Sequence, residues 1–272
     1  MSGFSIEWLN LRERADQAAR NRDISAQAVA WVNIAVSPDR PEPLVVDLGA
    51  GTGATLRTLS ALGLHKVVWR LVDHDGQLLD EALKRHRKTH IIEDYQADLK
   101  VVQELPLAAA RLVTASALFD LVSANFVDVL VPRLQQCRNA LYAALSYDGV
   151  MQWTPAHPYD KQVLDAFNQD QHSDKGFGPA LGPDAADYLR TALQQAGFTV
   201  SSGNSPWLLQ AADHVLVSEL IGGIRNAVAN GYGLDKSLLD TWQQFRLEHA
   251  SSGTCQVGHV DLLALPADSG VG

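Results

Sequence analysis

Leu44-Val45-Val46-Asp47-Leu48-Gly49-Ala50-Gly51-Thr52-Gly53-Ala54-Thr55-Leu56 decides the fold. The apolar run after Pro43 predicts a buried parallel strand, the glycines a turn, and Ala54 to Leu62 a helix. Glycines lack a Cβ, so the backbone can pass close to a ligand, and the helix behind them offers unpaired N–H groups at its positive end. The stretch reads as a nucleotide-binding turn. Its spacing fits two ligands. Gly49-x-Gly51-x-x-Ala54 satisfies the dinucleotide fingerprint. Asp47, placed to accept hydrogen bonds from an ammonium group, and Gly53, one place early, favour a different nucleoside.

Downstream, Lys66 to Asp73 predicts a second strand ending in a carboxylate about 20 residues beyond the glycines. Asp73 can there accept hydrogen bonds from both hydroxyls of a ribose. His74 and Asp75 follow in the turn, Asp75 as the cap of a helix from Gln77 to Arg87. Thr89 to Tyr95 is the third strand and leads into Ala97-Asp98-Leu99. Leu112 to Ser116 is the fourth, and Ser123 caps a helix through Phe126, Val127, Leu130 and Leu134 that Pro132 is expected to kink. Leu141 to Ser146 is the fifth strand, with Tyr147-Asp148-Gly149 as its exit. Upstream, Trp8 to Ile34 carries apolar residues at helical spacing, and Ser37 to Pro43, with three prolines, is a connector.

The D-x-G-x-G-x-G pattern of Asp47 to Gly53 resembles motif I of the class I S-adenosylmethionine-dependent methyltransferases. Asp73 within Leu71-Val72-Asp73-His74-Asp75, Ala196-Gly197-Phe198 and the final apolar run Val257 to Pro266 are similar to further segments of that family. The resemblance spans roughly Trp8 to Pro266. It implies an α/β fold with a Rossmann-like sheet of seven strands, the last antiparallel and inserted between the fifth and sixth, plus an N-terminal helical extension and helical insertions. A single domain is expected: residues 1–43 as lid and linker, 44–146 as the cofactor-binding half, 147–272 as the acceptor-side half. The implied cofactor is S-adenosyl-L-methionine. Its methionine carboxylate is assigned to Arg12 or Arg14, its amino acid and ribose to Asp47, Gly49, Ala50, Gly51, Gly53, Asp73 and His74, and its adenine to Asp98 and Leu99, with Ser116 at the fourth strand's end.

The acceptor side is less specific. Val150 to Asp160 gathers Trp153, His157 and Tyr159 with prolines and is expected to wall an acceptor pocket. The loop from His172 to Asp184, rich in glycine and proline, is too long for mere spacing. Lys175 in it can neutralise an anionic group, and Asp120, Tyr147, His157 and Lys175 are the catalytic candidates. Leu112 to Ser123 and Asp174 to Asp184 are similar to segments of a bacterial subgroup without a clear assigned substrate. No Asn-Pro-Pro-Tyr segment follows the fourth strand, which weakens methylation of bases or glutamine.

Composition bounds the remaining choices. At 272 residues and 46% hydrophobic content the chain can bury a sizeable core, and a net charge of -9 argues against nucleic acid as partner. Cys137 and Cys255 stand far apart, so neither a disulfide framework nor a metal site is expected. Met1 to Glu7 does not read as a leader and no run is long enough to span a bilayer, so no membrane partner and a cytoplasmic location are expected. The tail Ala267 to Gly272 is expected to fray. The leading reading is methyl transfer to a small organic acceptor. An NAD(P)-dependent oxidoreductase, or an S-adenosylmethionine-binding protein with other chemistry, stands as the alternative. Oligomeric state is left open.

Overall fold

The computed structural model describes residues 4–267; residues 268–272 of the expected frayed tail lie outside the described residues. The chain opens with α1 (Ile6–Ala19) and α2 (Arg22–Asn33), capped by Ser5 and Asn21, whose side chains accept from Trp8 N and Ile24 N. Then β1 (Leu44–Leu48), α3 (Ala54–Ala61), β2 (Val68–Asp73), α4 (Gly76–His86) and β3 (Ile91–Gln96) alternate as βαβ units. The chain continues through β4 (Ala110–Ser116), α5 (Ala124–Cys137), β5 (Ala140–Thr154), α6 (Asp160–Gln171), α7 (Ala185–Gln195) and β6 (Thr199–Asn204). It closes with β7 (Trp207–Leu209), α8 (His214–Ala227), α9 (Lys236–Glu248) and β8 (Thr254–Leu265). Pro132 lies on the exposed side of α5, which runs through it.

The sheet order is β3-β2-β1-β4-β5-β8-β6, with β7 also on β8. Strands β1 to β5 pair in parallel, and β8 is antiparallel to β5, β6 and β7. The expected insertion of the last strand between the fifth and sixth is observed. Both sheet faces are covered, so consecutive strand residues are apolar: Val46 and Leu48 face α5 and α7, while Val45 packs with Trp69, Leu71, α2 and α3.

Three expectations are corrected. The fifth strand does not end at Ser146 but runs to Thr154, because β8 offers it partners as far as Thr154↔Thr254, across bulges after Ala143 and Tyr147. Residues 150–154 are therefore strand, not a loop around a pocket. Short β7 on β8 adds an eighth strand to the expected seven. The long β5–β8 ribbon carries a third apolar cluster with α6, α8 and α9, built around Trp242, Trp207, Val163 and Ile221. Among the described residues no helix is long and apolar enough to cross a membrane.

Candidate functional site

A cavity of about 210 Å³ opens at the carboxyl ends of β1, β2 and β4, with α1 as its outer wall. Its floor is the glycine turn. The amides of Gly49 and Ala50 donate to Val72 O at 2.9 and 3.1 Å, and Gly51 N donates to Asp73 Oδ2 at 2.9 Å. Asp73 thus holds the turn from the neighbouring strand, while its Oδ1 accepts from Asp75 N at 3.1 Å and lies 3.3 Å from His74 Nδ1. Gly51 has φ +53°, and a Cβ on it would come within 3.2 Å of Leu9 on α1, so the close approach of helix and turn requires glycine there. Asp75 caps α4 as expected, accepting from Gln77 N at 2.8 Å.

Of the residues singled out from sequence, Arg12, Gly49, Ala50, Gly51, Asp73, His74, Asp98, Leu99, Ser116 and Lys175 all line this one cavity. Asp47 and Gly53 do not. Asp47 lies beneath the turn, fully buried, with Oδ1 accepting from Thr114 Oγ1 at 2.6 Å. Burial pushes its carboxyl up to about 7, against the opposing pull of Thr114 and of the Arg20 guanidinium. Gly53, at φ +84°, caps α3, and a Cβ there would come within 3.0 Å of the His86 ring.

Arg12 and Arg14, equivalent in sequence, part company. Arg12 is buried on the cavity wall, its Nε donating to Asp16 Oδ2 at 2.8 Å and Nη2 to Asp16 Oδ1 at 3.2 Å. Trp207 Nε1 donates to the same Asp16 at 3.0 Å, and the Arg12 guanidinium lies 5.3 Å from the Trp207 ring. Arg14 points away, 3.6 Å from Asp213 with a side chain 77% exposed. Lys175 reaches the cavity while paired with Asp170 at 2.5 Å, and Asp170 also accepts from Tyr232 OH. Phe177 joins it on the wall, edge-on to Phe126. Asp174 orders this loop by accepting from Gly176 N and Gly178 N.

The other acceptor-side residues divide. Trp153 pairs across β8 with Cys255 and packs edge-on to Trp242 under Arg246, outside the cavity. His157 stacks on Phe245 at 4.7 Å and beside Tyr159, also outside the cavity wall. Both belong to the third apolar cluster's surroundings, because the extension of β5 carries them away from the strand ends. Tyr147 is buried, its hydroxyl donating to Asn168 Oδ1 at 2.7 Å. Asp120 is buried between Leu118 and Leu121, which line the cavity, and burial pushes its carboxyl up to about 6.

Sequence reasoning missed Arg20. It is buried where α1 meets α2, and it donates to Ser116 Oγ at 3.0 Å, Thr55 Oγ1 at 3.3 Å and Tyr142 OH at 3.4 Å. Tyr142 OH in turn donates to Asp261 of β8, which also accepts from Asn21 N and Leu145 N. The network ties the cavity floor to the helical extension and the last strand. Asp16, four residues beyond Arg12, carried a legible signal, since such a pair faces one side of a helix. Arg20 carried none. Among the described residues no cluster of candidate metal ligands is found.

No family model matches the chain, and no curated protein does. Among solved structures it is similar to the YcgJ protein of Bacillus subtilis, at 13% identity with 89% of this chain and 99% of that chain covered and a TM-score of 0.48. It is also similar to geranyl diphosphate C-methyltransferase from Streptomyces coelicolor, solved with S-adenosyl-L-homocysteine, at 12% identity, 89% and 78% coverage and a TM-score of 0.44. A phosphoethanolamine N-methyltransferase of Haemonchus contortus, solved with S-adenosyl-L-methionine, matches at 14% identity, 89% of this chain, 52% of that chain and a TM-score of 0.42. Such values describe the course of the chain and bring no substrate with them.

Proposed function

We propose that this chain, with the sheet order of class I methyltransferases and a cavity on its glycine turn, transfers a methyl group from S-adenosylmethionine to a small organic acceptor. The observation that carries the reading is the convergence on one cavity of a carboxylate at the end of β2, an acidic residue after β3, a hydroxyl at the end of β4 and a buried arginine on α1. These groups fit the cofactor's parts. Asp73 presents a carboxylate suited to a ribose diol, Asp98 and Leu99 offer a polar group beside an apolar one for adenine, and Arg12, its Nε and Nη2 engaged by Asp16, keeps Nη1 for a carboxylate. When bound, the cofactor supplies a methyl group already activated on a sulfonium. The chain's residues then have to hold donor and acceptor in line and exclude water. Asp47, below the turn, holds Thr114 of the neighbouring strand without touching the cavity wall.

Lys175 and Phe177 close the cavity from the loop after α6, and Lys175 is assigned to an anionic group on the acceptor. Nucleic acid is not the acceptor in this reading, because the net charge is -9. An NAD(P)-dependent oxidoreductase is disfavoured by topology. Dinucleotide-binding sheets continue in parallel past the fifth strand, whereas here antiparallel β8 separates β5 from β6. Calorimetric titration tests the reading: S-adenosylhomocysteine is expected to bind at micromolar affinity or better and NAD not at all. NAD binding without S-adenosylhomocysteine binding would overturn it.

A further inference from the structure

Thr52, in the glycine turn, lines the cavity and is buried, so its polar atoms need partners within the protein. Arg57 on α3 supplies them. Its Nη1 donates to Thr52 O at 2.6 Å and its Nη2 to Thr52 Oγ1 at 3.4 Å. The same guanidinium also reaches α1, where its Nε donates to Glu13 Oε1. Both side chains of this pair are largely buried. Glu13 is steadied on its own helix by Gln17, whose Nε2 donates to Glu13 Oε1 at 3.1 Å. The other ion pairs of α1 lead elsewhere, Arg12 to Asp16 and Arg14 to Asp213. From α4 the His86 Nε2 comes within 2.9 Å of Arg57 Nη1 and 3.2 Å of Thr52 O. Burial and the Arg57 charge hold the His86 pKa below its ordinary value, so a neutral ring backs the guanidinium.

We infer that Arg57 is a positioning residue of the cofactor site: one guanidinium holds the glycine turn through Thr52 and the wall helix α1 through Glu13, and so sets the spacing between them. The inference rests on the methyl-transfer reading, since the cofactor is the ligand that this spacing serves. Three observations carry it. First, α1 gives Leu9, Arg12 and Asp16 to the cavity wall, and Glu13 stands next to Arg12 and four residues from Leu9, so the bond to Glu13 fixes the part of the helix that meets the ligand. Second, Arg57 does not line the cavity, so its action on the cofactor passes through Thr52 and α1. Third, the partners lie on different edges of the guanidinium, and its rigid planar fork keeps them at a fixed angle. A lysine ammonium is a point charge on a flexible stem and cannot hold both in one geometry.

The test uses the full chain and reads S-adenosylhomocysteine affinity by calorimetry, with thermal unfolding of the cofactor-free protein as a separate measure of the fold. Arg57→Met is expected to weaken binding by about tenfold or more, and Glu13→Gln by about fivefold. Arg57→Lys, which keeps the charge and loses the fork, is expected to remain about fivefold weaker than the parent. The double variant Glu13→Gln/Arg57→Met is expected to bind like Arg57→Met alone, because Glu13 acts through Arg57. Should Arg57→Met not fold, Glu13→Gln and Arg57→Lys carry the test, and parental affinity in both would overturn the inference. A lower melting temperature in Arg57→Met with S-adenosylhomocysteine affinity within about threefold of the parent would make Arg57 a residue of the fold only, and would also overturn it. So would full rescue by Arg57→Lys, or losses that simply add in the double variant. Failure of the parent to bind S-adenosylhomocysteine would instead sink the methyl-transfer reading itself.

Discussion

Asp47 is a carboxylate placed where no water reaches, with Thr114 as its close donor. Its pKa, raised to about 7 from an ordinary 3.8, makes it a pH-dependent load on the fold. Because the folded value lies above the unfolded one, its contribution is most favourable below pH 3.8 and is lost as pH rises to about 7. Asp47→Asn is therefore expected to stabilise the cofactor-free protein at pH 8 by on the order of 2–4 kcal/mol and to give no gain near pH 4. Thermal unfolding at both pH values checks this. Asp73 carries two loads, since it holds the Gly51 amide and faces the cavity. Asp73→Ala is expected to weaken S-adenosylhomocysteine binding by about 2 kcal/mol or more, whereas Asp73→Asn, which can still accept from Gly51 N, loses less. Equal affinity of Asp73→Ala and the parent in calorimetry would leave Asp73 as a strand-end residue only.

At the scale of elements, the ribbon of β5 and β8 separates what is local from what is not. Its far end is closed by Gly253, whose amide donates to His249 O at 2.7 Å. A Cβ on Gly253 would clash with the backbone oxygen of Thr154 and lie 3.0 Å from His249 O, neither of which is free to move. Gly253→Ala is expected to cost roughly 2–3 kcal/mol in a denaturant melt, with S-adenosylhomocysteine affinity unchanged because neither Gly253 nor the Thr154 and His249 it meets line the cavity. A loss below 0.5 kcal/mol, on the order of a neutral surface change, would mean that the ribbon end relaxes freely. The same ribbon explains why the fifth strand was read short. Strand length here is set by partners on β8 about a hundred residues later in the chain, and no pattern within Leu141 to Asp160 encodes them.

Across the whole molecule, Arg20 joins three parts that are distant in sequence: the helical extension, the cavity floor and the last strand. Its removal leaves Asp261 and Tyr142 without their cationic neighbour in a buried setting. Arg20→Met is expected to lower stability by about 3–5 kcal/mol and to weaken S-adenosylhomocysteine binding by about tenfold, since Ser116 and Thr55 lose their common donor. Unfolding monitored with and without S-adenosylhomocysteine separates the two effects, and an unchanged ligand-induced shift would confine Arg20 to the fold. What the sequence by itself determined is whatever depends on neighbours a few residues away. The glycine turn, the carboxylate at the end of β2, the cap on α4 and the alternation of strands and helices belong here, because backbone sterics and side-chain period act locally. The place of β8 between β5 and β6 came with the family resemblance, which local spacing does not contain. Tertiary structure alone decided that Arg12 and not Arg14 faces the cavity, that Trp153 and His157 leave it, and that Arg20 ties its floor to the last strand. The physical reason is that these placements are made by long-range strand pairing and burial, and the side chains involved look like any other solvated charge or core ring until the sheet closes around them.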